Sequence, residues 1–303
     1  MRPTVWRMTS PHEFRDRQMH DATFEHVDLT GATFDRVDLS RTTLRSINFD
    51  GADIRNASFA DVRLRGVELR KVEIWGELID VRLNGIDVGA LVEAELMRQH
   101  PERAQLHPAD ADGFRGAWEV IDDLWTGTLE RARRLEAIAP QALHECVDGE
   151  WSFVQTLRHL AFATSSWLSR AIQGDPSPWH PWELPWDEMP PTPGVPHDRE
   201  ARPTLDEALE LRRDRFERVR AHLSSLTNED LAGTREVPAG AGWPPPGEQV
   251  PVKEALDTLL NEEWWHRQFA ERDLAVLESR HETETSRPTE ATGRHTGSTP
   301  QRT

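Results

Sequence analysis

The sequence predicts two units of unlike architecture: a short-period repeat module followed by a bundle of four long helices. Two observations carry this. Eleven apolar residues recur at intervals of five near the start: Phe24, Leu29, Phe34, Leu39, Leu44, Phe49, Ile54, Phe59, Leu64, Leu69 and Ile74. Two places before each stands a small or β-branched residue, from Ala22 and Val27 through to Val67 and Val72. A strict five fits neither the 3.6 period of a helix nor the 2.0 period of a strand, but it suits a repeating structural unit. Beyond Gly113 the apolar residues return instead at threes and fours, the spacing of amphipathic helices, and Pro-rich stretches divide them.

The residues between the repeat centres are polar, so two of every five are expected to point inward and three to face water. Ala22-Thr23-Phe24, Ala32-Thr33-Phe34 and Ala52-Asp53-Ile54 resemble the Ala-Asp/Asn-Leu-X-X pattern of the pentapeptide-repeat family. The resemblance covers residues 20–88. It implies a short right-handed quadrilateral β-helix, with Phe or Leu inside and Ala beneath. The register breaks after Ile74, because Glu77 takes the small position before Ile79, and is expected to resume one residue out of step at Leu83 and Val88. Eleven repeats make fewer than three coils at the family's four per coil, and so short a solenoid needs a cap. Trp75 and the run from Ile86 to Leu96 are the candidates. Some family members mimic DNA with an acidic surface. Residues 1–90 carry 13 basic and 15 acidic groups, so a docking surface is the expected role.

The 303 residues allow two modest domains. Residues 91–303 hold 23 basic and 38 acidic groups, hence −15 of the net −17, which argues against a nucleic-acid partner. The basic residues are almost all Arg, read here as a composition effect. A single cysteine, Cys146, excludes an intrachain disulfide framework and fits a reducing compartment. Residues 1–20 hold no signal-like apolar run and no stretch suits a membrane span, so a cytoplasmic protein is expected. Residues 281–303 are Thr, Ser, Glu, Arg and Pro with almost no aliphatics, the composition of a disordered tail.

The helical unit is expected over 110–280, after a linker at 89–109 that carries a short helix at 88–99. Its first helix runs through Trp118, Ile121, Trp125, Thr128, Ala132 and Leu135 and stops at Pro140. The second follows Trp151-Ser152 through Leu157, Leu160, Thr164, Leu168 and Ile172, closed by Gly174 and Pro176. Nine prolines forbid regular structure over 175–203, where Trp179, Trp182 and Trp186 suggest a lid or a cover over helix ends. Thr204 and Glu207 form a capping box for the third helix, through Leu211, Phe216, Val219 and Leu223. A second Pro/Gly loop spans 233–250. The fourth helix carries Leu256, Leu259, Leu260, Trp264, Phe269 and Leu274, which completes a four-helix bundle.

Two of these helices carry ligand chemistry. Glu262 and His266 stand four apart and so share a helical face, with Glu263 as the alternative at i,i+3. His159 on the second helix completes a His, His, Glu set that leaves a position open, an arrangement suited to catalytic zinc. A lone half-buried histidine is the bland reading of His159. The order Trp-Ser then His-Leu on one helix, and ligand-X-X-X-His on another, resembles the DinB-like (YfiT-like) metalloenzyme family over residues 110–278. Many such proteins have three histidines. Glu262 stands where one of them would be, as in the similar mycothiol-dependent maleylpyruvate isomerases, which use His, Glu and His on zinc. The resemblance implies His159, Glu262 and His266 as ligands of a divalent metal, zinc or nickel.

The resemblance further implies a transferase, isomerase or detoxification enzyme that uses a low-molecular-weight thiol such as mycothiol or bacillithiol. Homodimers are common in the family. Arg267 and Arg272 are candidates to orient the thiol, although an exposed helical face would place them equally well. Two alternatives stand beside this: a metal-dependent hydrolase with Glu263 as its general base, and a non-catalytic interaction scaffold.

Overall fold

The computed structural model describes residues 14, 16–55, 57–76 and 78–285, with the side chains of 282–285 excepted. Glu77 and residues 286–303, most of the expected tail, lie outside the described residues. The chain divides into two compact units, 1–67 and 68–303.

In the first unit the fivefold spacing is written into the backbone. Among the described residues one with positive φ stands three before each of eight centres: Asp21, His26, Gly31, Arg36, Arg41, Ser46, Gly51 and Asp61. Turns closed by Ala22 N–H to Met19 O, Ala32 N–H to Leu29 O, Thr42 N–H to Leu39 O and Ala52 N–H to Phe49 O recur every ten residues. Asp28 and Asp38, each just before a centre, accept from the backbone N–H of Thr30 and Ser40 at 2.9 and 2.8 Å. These hydrogen bonds, with those from the hydroxyls of Thr30 and Ser40, hold both carboxyls below the usual range. No strand ladder joins the repeats among the described residues. The centres keep 49–72% exposure, unlike the expected inward positions, since a repeat buries its apolar side only against a neighbouring coil.

The second unit opens with the last repeats. Asp80 and Gly85, both at positive φ, stand three before Leu83 and Val88, so the repeat register resumes there as expected, and Asn84 and Gly85 make a tight turn between β1 (Arg82–Leu83) and β2 (Ile86–Asp87). Arg82 pairs with Asp87 and Leu83 with Ile86, and Asn-Gly favours such a turn. Helix α1 (Gly89–Gln99) and a 3₁₀ turn (Pro101–Leu106) follow, so the expected linker is structured. Arg103 is buried there. It grips Glu93 at 3.0 and 3.1 Å and lies over the rings of Trp264 and Trp265. Trp75 meets Phe269 edge-on at 6.3 Å.

Helix α2 (Ala111–Ile138) is capped by Asp110, whose carboxylate accepts from Gly113 N–H at 2.8 Å. Helix α3 (Phe153–Thr164) begins in a capping box between Ser152 and Gln155. From Ser165 to Ile172 it widens to i→i+5 bonding, and Gly174 ends it at positive φ. Thr204 and Glu207 cap α4 (Leu205–Ser225) reciprocally, and α5 (Asn228–Leu231) is one turn. β3 (Thr234–Glu236) pairs antiparallel with β4 (Gln249–Pro251), and α6 (Val252–Thr285) closes the fold. Its last turns occupy 281–285, the start of the expected tail.

The second unit is a helical bundle: α3 packs on α4 and α6, and α2 on α6 and α4. Its core is the predicted apolar stripes, including Trp118, Ile121, Trp125, Leu157, Leu160, Leu256, Leu260 and Trp264. Trp118 stacks on Phe216 at 4.3 Å.

Arginine holds the loops to this bundle, which corrects its reading as a mere composition effect. Arg158 is fully buried and donates to the backbone oxygens of Trp182 (2.6 Å), Ala201 (3.1 Å) and Asp198. Arg170 is equally buried and donates to those of Pro244 (3.0 Å), Pro176 (3.0 Å), Pro238 (3.1 Å) and Gly240 (2.8 Å). Prolines cannot donate to a ladder, so the loops' carbonyls need donors from elsewhere. A planar guanidinium with five N–H groups supplies them where lysine could not.

Candidate metal centre

His159 projects from α3, and Glu262 and His266 from one face of α6. One ligand atom from each lies within 4.8 Å of the others. His159 Nε2 is 3.3 Å and His266 Nε2 3.1 Å from the same carboxylate oxygen, Glu262 Oε2. The ring centroids of the two histidines are 4.7 Å apart. Burial pushes the Glu262 carboxyl up, but the hydrogen bonds and positive charge of the two imidazoles outweigh it and hold it far below the usual range. Burial lowers His266, with partial opposition from Glu262.

Adjacent residues on a helix point about 100° apart, and this separates the two glutamates. Glu263 turns away from the site to Arg212, which grips it at 3.0 and 2.6 Å while lying over the Trp125 ring at 4.4 Å. Both partners are buried.

The second contact of His159 fixes its chemistry. Its Nδ1 lies 3.0 Å from the carbonyl oxygen of Leu184, which can only accept, so Nδ1 carries the proton. Its Nε2 faces the Glu262 carboxylate at 3.3 Å. Two electron-rich atoms at that distance call for a cation or a proton between them. Two imidazole nitrogens and a carboxylate oxygen suit a divalent ion of the zinc type.

Three features around the site were not foreseen. Trp151 lies over both imidazoles, 4.4 Å from the His159 ring and 5.6 Å from that of His266, almost parallel to the latter. Its motif position was visible in the sequence, but its contact was not. Leu184 offers only a carbonyl, which no pattern of side chains reveals. Glu183 beside it is fully buried: one carboxylate oxygen accepts from Ser165 Oγ (2.6 Å) and Arg215 Nε (2.9 Å), and the other has no hydrogen-bond partner among the described residues. Arg267 is committed elsewhere, donating to Leu124 O and Thr128 Oγ1 on α2. Arg272 pairs with Asp273 and lies over Phe269, whose ring meets His266 edge-on.

Comparison with known families agrees with this architecture. The DinB superfamily matches residues 91–270, more than half of the chain. The chain belongs to the DinB superfamily. A pentapeptide repeat region matches residues 17–89 and precedes the DinB domain. No curated protein and no solved structure matches the chain. Among the described residues no helix of this DinB protein is long and apolar enough to cross a membrane.

Proposed function

We propose that the DinB domain is a metal-dependent enzyme that uses a low-molecular-weight thiol, such as mycothiol or bacillithiol, for transferase, isomerase or detoxification chemistry. The convergence of His159, Glu262 and His266, with Nε2 of His159 facing the carboxylate, is the observation that carries it. These three residues would hold a zinc or nickel ion. When bound, such an ion supplies the positive charge that lowers the pKa of a thiol or a water. Leu184 orients His159, Glu262 neutralises part of the charge, and Trp151 and Phe269 screen the imidazoles from water. The commitment of Glu263 to Arg212 favours the thiol reading over a hydrolase, which needs that carboxylate as its base.

Elemental analysis of the full chain tests the site. Wild type is expected to carry stoichiometric metal, His159→Ala and His266→Ala to lose most of it, and His281→Ala to keep it. Equal content in all four would overturn the assignment, and a metal-free wild type after metal-supplemented expression would favour the scaffold. Saturating thiol should then alter the spectrum of the cobalt-substituted protein.

The repeats are proposed to wind as a right-handed quadrilateral β-helix that docks a protein partner, in a cytoplasmic protein. The recurring left-handed residue supports the winding. In a closed coil Phe49→Asp places a charge inside and should accelerate proteolysis within 20–88. Cleavage at the wild-type rate would count against the closed coil.

A further inference from the structure

We propose that Trp151 is an access latch over the imidazole pair, held shut by Asp187. This rests on His159, Glu262 and His266 being the reactive site proposed above. Trp151 sits between the turn at Asp148 and Gly149, both at positive φ, and the Ser152 cap of α3. Its indole lies against His159 at 4.4 Å, tilted by 48°, and against His266 at 5.6 Å, tilted by only 10°. The ring thus covers the approach to both nitrogen donors while coordinating nothing itself.

The way it is fastened distinguishes this indole from its neighbours. Trp118, Trp125 and Trp264 are buried in the core, and their ring N–H groups have no hydrogen-bond partner among the described residues. Packing fixes them, with a guanidinium over the rings of Trp125 and Trp264. Trp151 is half-buried, and its Nε1–H donates to Asp187 Oδ1 at 2.9 Å. Asp187 is exposed on the Pro/Trp loop, where Arg199 pairs with it and also donates to Trp186 O at 3.1 Å. The far edge of the indole is therefore tied to a loop by one hydrogen bond that water can replace. Such a bond to a charged acceptor is strong enough to keep a ring closed and weak enough to open on the timescale of loop motion. The lid that the Pro/Trp stretch suggests would then act through a residue outside it, with Asp187 as the loop's contribution.

Carbethoxylation by diethyl pyrocarbonate, mapped by mass spectrometry on the metal-free full-length protein, reads the latch directly. Asp187→Ala and Trp151→Leu should each speed modification of His159 and His266 about tenfold, the effect of losing one hydrogen bond to a charged group. Asp187→Asn keeps an acceptor and should stay close to wild type, while exposed His107 should react alike throughout. Unchanged rates in Asp187→Ala would overturn the latch, as would a parallel rise at His107, which signals general loosening. Metal content of the same variants separates the two ideas. A metal-free wild type sinks the proposed enzyme yet leaves the modification rates to decide the latch.

Discussion

Arg170→Met should lower the stability of the helical domain by about 3–5 kcal/mol, among the largest effects of any single change. The substitution keeps much of the apolar stem and removes every donor. Four carbonyls on two loops, those of Pro176, Pro238, Gly240 and Pro244, then lose their donor, and buried Pro244 is the least able to turn to water. Each orphaned acceptor costs about 1–3 kcal/mol before relaxation, and loosening of the loops recovers part of the sum. The midpoint of thermal unfolding should fall by roughly 10 °C. Arg170→Lys should recover little, because an ammonium cannot span the same fork. Arg213→Ala, on the exposed side of α4, serves as the control. A loss under about 1 kcal/mol for Arg170→Met would show that the guanidinium does not hold the loops.

The second large effect concerns acidity. Burial pushes the Glu183 carboxyl up from 4.5 to about 7, against the opposing pull of Arg215 and the Ser165 hydroxyl. The unpartnered second oxygen suits the protonated form. Between pH 4.5 and about 7 the folded chain therefore holds a proton that the unfolded chain has released. Stability from this group is full below the lower value and is lost as pH rises through the upper one. The change amounts to about 3 kcal/mol across the window. Urea titrations at half-unit pH steps should show the decline in wild type. Glu183→Gln keeps a neutral acceptor for Ser165 and should flatten it. An identical slope in both proteins would assign the decline to other groups.

The bundle was legible because its signals are local. The stripe from Trp118 to Leu135, the Thr204–Glu207 box and the Gly174 stop lie within a few turns of what they govern. Glu262 and His266 were readable for the same reason, as neighbours on one face. The choice between Glu262 and Glu263 was not, since Arg212 decides it from 51 residues away. The resumed rhythm at Leu83 and Val88 was legible too, and the Asn84-Gly85 turn lies within it, with Gly85 three before Val88. The arginine forks, the Leu184 carbonyl and the Trp151–Asp187 bond join helices to loops without periodicity. Nothing in the residue types on either side announces such a pairing.

The widened turns from Ser165 to Ile172 constrain how this domain can drift in length. A helix closing i→i+5 rings holds an extra residue relative to its α-helical form. Loss of one residue there would let the segment tighten at no backbone cost, yet it would swing Arg170 around the axis, off four oxygens at once. Single-residue deletions between His159 and Arg170 should accordingly be purged during descent even where substitutions at the same sites persist.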